Sequence, residues 1–370
     1  MLPVIINDAT LRDGEQSAGV AFGLRDKVEI ARRLDAIGVG EIEAGCPAMG
    51  GDEREAVRII ASMGLKAEVS AWCRAVPEDI EAAALCGVKR VFVSLPVSDL
   101  HIGRKLGKSR GWVIERIGQA VALARSLGIA AAAGAEDASR AAPGFLRRFA
   151  ETARDAGAER LRYCDTVGLL DPFGTYAAVR RLRGETGLAI EIHAHDDLGM
   201  ATANALAGIR AGAGYVTTTV NGLGERAGNA ALEEVAMALR HVLGVDPGVG
   251  TEGLLGLSRL VAEASGRPIP EGKSVVGANA FRHESGIHAD GVLKDPATYE
   301  PFPPGEVGAA REIVLGKHSG SRAVRAKFGQ LGVHLTDSQA REVLSRIRVM
   351  AAHAGRSLAE GELLAACRVS

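Results

Sequence analysis

Residues 189–221 read AIEIHAHDDLGMATANALAGIRAGAGYVTTTVN. An apolar, partly β-branched run (Ala189–His195) gives way to a segment of helical period (Met200–Ala211). A second β-branched run follows (Tyr215–Asn221). That is one βα unit and the strand after it. In the first run Ile190, Ile192 and Ala194 alternate with Glu191, His193 and His195. Side chains two apart share a strand face, so three apolar groups point one way and a carboxylate and two imidazoles the other.

The same alternation runs outward in both directions. Strand cores are expected near Val4–Asn7, Glu41–Ala44, Ala67–Ala71, Arg90–Ser94, Ala130–Ala133 and Arg160–Cys164, besides the two above. Helices are expected over Arg25–Ala36, Asp52–Ser62, Pro77–Leu85, Gly111–Leu127, Gly144–Asp155, Thr175–Thr186, Met200–Ala211 and Ala230–Leu243. Several stop at a glycine, as at Gly38, Gly128 and Gly157. Eight βα units favour a closed (β/α)8 TIM barrel over an open doubly wound sheet. The apolar set of the quoted strand then faces the outer helices, and Glu191, His193 and His195 face the interior.

Beyond about residue 250 the pattern changes. A helical piece (Leu254–Ala264) leads into a Gly/Pro-rich stretch, then GANAFRHESGIHADG (277–291) and a Pro-rich loop at Tyr299–Pro304. Helical segments follow at Ser321–Phe328, Ser338–Ala352 and Ala359–Cys367. The expected division is a catalytic barrel over 1–255 and a small, mainly helical C-terminal extension over 256–370, without a further regulatory domain.

Composition excludes several function classes. Among 370 residues, 44 Lys+Arg balance 45 Asp+Glu, so no basic surplus points to nucleic acid and no acidic excess to disorder. Aromatics are 4%, too few for base-stacking platforms. Five scattered cysteines without a C-x-x-C argue against a disulfide framework and for a reducing, cytoplasmic setting. No signal-peptide pattern opens the chain, and charges interrupt the Ala-rich segments before membrane-spanning length.

Polar residues gather where the expected strands end. They are Arg12, Asp13, Glu15 and Gln16 after strand 1, Glu43 on strand 2, Ser94 on strand 4 and Glu136-Asp137 after strand 5. Asp165-Thr166 close strand 6, Glu191, His193 and His195 lie on strand 7, and Thr217, Thr219 and Asn221 on strand 8. Active sites of such barrels are built from the loops after the strands. Two inward histidines at i and i+2 make half of a metal site. The plain alternative is a pair of core histidines, each needing its own partner. Asp13 is the best carboxylate to complete a divalent site; otherwise it pairs with Arg12 or caps a helix. Asn229 offers an amide oxygen; otherwise it is a turn or cap residue. Such a donor set takes magnesium or manganese, and also zinc or iron. The glycines of NGLGERAGN (221–229) are spaced G-x-G-x-x-x-G, which is not the dinucleotide-binding fingerprint.

Five ordered segments carry a family resemblance: NDATLRDGEQSAGVAF (7–22), EIHAHDDLGMATANALA (191–207), NGLGERAGNAALEE (221–234), HESGIHADG (283–291) and LGKHSG (315–320). They resemble the isopropylmalate, homocitrate and citramalate synthases, over essentially the whole chain. The resemblance implies a divalent metal held by Asp13, His193, His195 and Asn229. It implies a Claisen-type condensation of acetyl-CoA with a 2-oxo acid, then thioester hydrolysis. It assigns alkoxide stabilisation to Arg12, acid/base work to Glu136, His288 and Tyr299, and 2-oxo acid contacts to Gln16 and Thr166. Glu43 and Glu191 become supports for Arg12 and the metal ligands, and the molecule a homodimer.

Within the family, AWCR, SLPVSDL and GAEDASR are most similar to homocitrate synthases of the nitrogen-fixation type, which implies 2-oxoglutarate as co-substrate. A chain ending at Ser370, before a leucine-sensing domain could fit, points the same way. Homocitrate synthases of the lysine pathway carry a His near Trp72-Cys73 and an Arg near Ala132–Gly134, which this sequence lacks. Arg74, His101 and Ser139 are then the candidates for the distal carboxylate, and Trp72 reads equally well as packing. A related lyase would need a cysteine in the GLGERAG loop, and a non-catalytic barrel would show decay of this residue set; neither is the case.

Overall fold

The computed structural model describes residues 4–368. Eight parallel strands form a closed barrel in sequence order: β1 (Ile5–Asp8), β2 (Glu41–Glu43), β3 (Glu68–Arg74), β4 (Arg90–Pro96), β5 (Ala130–Glu136), β6 (Arg160–Asp165), β7 (Ala189–Ala194) and β8 (Tyr215–Thr218). β8 closes the barrel on β1, with Asn7 opposite Thr217. Eight helices alternate with them: α1 (Leu24–Ala36), α2 (Gly51–Ser62), α3 (Pro77–Cys86), α4 (Arg110–Ser126), α5 (Pro143–Asp155), α6 (Pro172–Thr186), α7 (Ala201–Arg210) and α8 (Leu232–His241). α9 (Leu254–Ser265) follows.

Local chemistry accounts for the boundaries. Ser109 caps α4 by accepting from the Trp112 amide, and Asp171 caps α6 through the Gly174 amide. Each outer helix turns an apolar stripe inward; α5 buries Phe145, Leu146, Phe149, Ala150 and Ala153. α7 lies close on β7 because it carries Gly208, where a Cβ would stand 3.1 Å from the Ile192 side chain. Ile192 therefore faces outward, as its alternation with Glu191 and His193 requires.

The barrel interior departs from the usual apolar layers. Glu41, Glu43, Arg160, Arg162 and Glu191 are all buried inside it as one ion-paired network. Isolated, any of these charges would be costly to bury; each has at least one opposite partner at hydrogen-bond distance.

The chain divides into two compact units, the first ending at Pro268 and the second starting at Ile269. α9 packs on α1, and the Asn221 amide donates to the Ser258 carbonyl of α9, so this helix belongs to the first unit. The composition change near residue 250 and the end of the first unit are therefore different points. The second unit contains a short parallel pair, β9 (Arg282–His283) and β10 (Glu312–Ile313), and helices α10 (Gly286–Lys294), α11 (Ser321–Gln330), α12 (Asp337–Ala354) and α13 (Glu360–Arg368). Leu315, Val324, Phe328 and Ile347 form its core. The strand pair and α10 are elements that sequence periodicity misses, being two and nine residues long. Among the described residues no helix is long and apolar enough to cross a membrane.

Candidate active site

Three side chains converge at the C-terminal end of the barrel. His193 stands on β7, and His195 sits just past its end, bridged to Asn229. Asp13 comes from the turn after β1. The two Nε2 atoms lie 3.2 Å apart, and Asp13 Oδ2 lies 3.3 Å from that of His193 and 3.8 Å from that of His195. All three are buried, and their ligand atoms fall within 4.8 Å of one another. Burial, and then the neighbouring imidazole, pushes His193 well below the usual histidine range. Burial likewise lowers His195. Burial alone would raise Asp13, but Arg12, the two histidines and the Asn229 amide outweigh it and hold the carboxyl at about 2. The trio at neutral pH is thus a carboxylate and two neutral rings with lone pairs facing one point.

The surroundings fit a divalent cation. Among the described residues Asp13 Oδ2 and Asn229 Oδ1 are buried without a hydrogen-bond donor, while Asn229 Nδ2 donates to the Leu223 carbonyl at 3.0 Å. Buried acceptors left unpaired are costly unless an ion or water completes them. Nitrogen, nitrogen, carboxylate and amide oxygen together suit magnesium, manganese, zinc or iron.

Arg12 stands beside this cluster, its Nη1 3.5 Å from Asp13 Oδ1 and its Nε donating to Glu43. Glu43 also receives Arg162 at 2.6 Å. Arg162 pairs with Glu191 at 2.9 Å, and Glu191 pairs with Arg160. Glu43 thus lies between the Arg12 and Arg162 guanidinium groups. The Glu191 carboxylate is taken up by Asn7, Thr217, Arg160 and Arg162, and among the described residues neither Nδ1 of His193 nor that of His195 has a hydrogen-bond partner. The arginines of β6 are what sequence reading missed. Their signal was present, since Arg160, Arg162 and Cys164 alternate with Leu161 and Tyr163 just as the residues of β7 do.

A cavity of about 260 Å³ opens above this network. Arg12, Gln16, Glu136 and Thr166 line it with Asp13, His193 and His195. Thr166 Oγ1 accepts from the Asp137 amide at 2.8 Å, which fixes its lone pair and leaves its hydrogen free to donate. Glu136 meets His101 at 2.9 Å and Lys105 at 2.7 Å, both from the irregular turn His101–Leu106. Lys105 and Trp72 also line the cavity.

Other strand-end residues turn away. Asp165 accepts from the Leu169 and Leu170 amides, Glu15 from Phe22 N, and Asp137 from Ser98 and Arg140. Asn221 lies past β8 at φ 60° and points to α9. Arg74 is held in a two-point pair with Asp79 and, like Ser139, does not line the cavity. In the second unit, His288 on α10 and Tyr299 stack with ring centroids 4.1 Å apart at 26°. Gly291 permits this, because a Cβ there would stand 2.6 Å from the Tyr299 ring.

The HMGL-like family model matches residues 3–261, and the "Homocitrate synthase post-HMGL domain-like" model matches residues 275–355. The chain is 53% identical to 2-isopropylmalate synthase 2 of Caldanaerobacter subterraneus over 98% of this chain and 94% of that protein. It is 51% identical to homocitrate synthase 1 of Nostoc sp. over 98% of this chain and 97% of that protein. It is 47% identical to a putative (R)-citramalate synthase of Methanopyrus kandleri, over 98% of this chain and 71% of that protein. In fold it resembles the HMG-CoA lyase of Bacillus subtilis, with a TM-score of 0.66 at 22% identity, covering 73% of this chain and 96% of that one. A relative named isopropylmalate synthase that is matched over 94% of its length removes chain length as an argument against that product. The chain belongs to the HMGL-like family and, within it, to the acyl-CoA-condensing isopropylmalate, homocitrate and citramalate synthases.

Proposed function

We propose, from this family membership, that the protein is a homocitrate synthase: it condenses acetyl-CoA with 2-oxoglutarate and water to give homocitrate and CoA. The observation that carries the choice of 2-oxo acid is the charge of the cavity. Beside Arg12 its lining holds a second buried guanidinium, Arg162, where a branched aliphatic acid would need apolar room. Relatives named homocitrate synthase at about half identity support the same choice.

In this reading Asp13, His193 and His195, with Asn229, hold a divalent ion, magnesium or manganese before zinc or iron. Bound there, it supplies Lewis-acid polarisation of the 2-oxo carbonyl. Arg12 donates to the keto oxygen as it becomes an alkoxide, and Glu43 keeps the guanidinium aimed. Gln16 and Thr166 position the 2-oxo acid, Thr166 with its free hydroxyl hydrogen. The acetyl methyl is a very weak acid, so its proton must leave to a positioned base as the new carbon–carbon bond forms. The family resemblance assigns that role, and the return of a proton to the alkoxide, to Glu136, His288 and Tyr299. Water then cleaves the thioester, releasing CoA. The same reading carries a cytoplasmic homodimer that supplies homocitrate to the nitrogenase iron–molybdenum cofactor; sequence likeness is its support.

The test is CoA release from acetyl-CoA with 2-oxoglutarate, 2-oxoisovalerate, pyruvate or oxaloacetate, with magnesium or manganese and then with chelator. Chelator-sensitive turnover on 2-oxoglutarate is expected. Preference for 2-oxoisovalerate, which the 53%-identical relative's name would favour, leaves the metal chemistry standing and overturns the product.

A further inference from the structure

Four basic side chains line the cavity, and three are committed elsewhere. Arg226 spends Nε and Nη2 on Asp197 and gives Nη2 to the Thr166 carbonyl at 2.6 Å. Arg12 lies between Glu43 and Asp13. Lys105 is 56% exposed at the rim and holds Glu136. Arg162 differs from all three. It is 3% exposed, and in the β6–β7 register it pairs with Glu191 while Cys164 pairs with His193. Its guanidinium thus starts one inward layer below the metal trio. Cζ lies 3.4 Å from the centre of the Phe92 ring, which supports one face of the group. Nε and Nη2 engage Glu191 and Glu43, but Glu43 is shared with Arg12 and Glu191 with Arg160. Nη2 of Arg162, though 2.6 Å from Glu43 and 2.9 Å from Glu191, makes no well-directed hydrogen bond to either among the described residues.

We propose that Arg162 is the residue that reads the distal carboxylate of the 2-oxo acid, through its incompletely paired guanidinium at the floor of the cavity. The inference rests on the homocitrate reading above. A straight five-carbon acid whose keto end faces the Asp13–His193–His195 cluster runs its tail toward this floor. A terminal carboxylate there meets a preorganised guanidinium edge, whereas an apolar tail leaves that donor desolvated and unpaired. Sites built this way reject the analogue lacking the polar group far more strongly than a hydrophobic pocket rejects a misfit.

The experiment compares kcat/KM for 2-oxoglutarate and for 2-oxopentanoate, the same skeleton without the distal carboxylate, in wild type, Arg162→Gln, Arg162→Lys and Lys105→Met. Arg162→Lys keeps a cation for Glu43 and Glu191 should Arg162→Gln not fold, as circular dichroism would reveal. Expected is a loss of about 10- to 100-fold on 2-oxoglutarate, mostly in KM, with 2-oxopentanoate changed less than about threefold. Lys105→Met is expected to leave the ratio between the two acids intact. Equal losses on both acids in Arg162→Lys would make Arg162 only a prop for Glu43 and Arg12. No loss, or a ratio that moves with Lys105 instead, overturns the assignment too. A wild type that does not prefer 2-oxoglutarate overturns the homocitrate reading and this inference together, and so is told apart from failure in the variants alone.

Discussion

Arg12 donates through Nε to Glu43 while the far end of the same guanidinium stands 3.5 Å from Asp13. One carboxylate holds the arginine and another receives it, so its position beside Asp13, His193 and His195 depends on a fully buried residue of β2. Glu43→Gln removes the charge that aims Arg12. We expect kcat to fall about 100-fold with metal content unchanged by elemental analysis. Loss of metal in this variant would show that Glu43 supports the ligands instead.

His193→Ala removes one of three converging ligand atoms. Turnover is expected to fall to background. Because an ion that binds only the folded state adds stability, chelator should lower the melting temperature of the wild type by several degrees and leave that of the variant unchanged. A variant that still melts lower with chelator would contradict the ligand assignment.

Tyr299 lies against His288 because α10 offers Gly291 where any Cβ would collide with the ring. Gly291→Ala should displace the tyrosine and reduce condensation about tenfold or more, with 2-oxo acid affinity by calorimetry intact. His288→Ala is expected to lose condensation altogether while keeping metal and 2-oxo acid binding. Weakened metal binding in either variant would count against a proton-transfer role for this pair.

Asp8 faces away from the cavity, fully buried, and accepts from Thr10 N and the Thr218 hydroxyl. Burial pushes its carboxyl from 3.8 up to about 7 despite those hydrogen bonds. Below pH 3.8 the group is protonated in both folded and unfolded chains. Between 3.8 and 7 the unfolded chain ionises while the folded one keeps its proton, so stability drops as pH rises and then levels off. At about 1.4 kcal/mol per unit, the full span is about 4 kcal/mol. Asp8→Asn should therefore melt higher than wild type at pH 8 and lose that advantage toward pH 4. An advantage that does not vary with pH would mean Asp8 is not titrating.

Much of this was legible along the chain because its causes are local. Period-2 alternation in AIEIHAHDD put Glu191, His193 and His195 on one face, and caps and glycine stops bounded the helices. Asp13, Asn229 and Glu136 could be singled out as loop residues after strands, although only their motifs tied them to one another. Asp165 and Asn221 were less readable, since a polar residue at a strand end can face the cavity or fold back to satisfy its own loop amides.

The sequence by itself determined a succession of eight βα units and the face of β7 that carries the histidines, because strand and helix periods are properties of neighbouring residues. Only the tertiary structure decided that Nε2 of His193 and His195 meet Asp13, 180 and 182 positions away along the chain, since barrel closure between β1 and β8 sets that distance. It likewise decided where the charges of β6 go. The outer face of a barrel strand lies under apolar helices, so Arg160 and Arg162 have nowhere to turn but inward, onto carboxylates brought by β2 and β7.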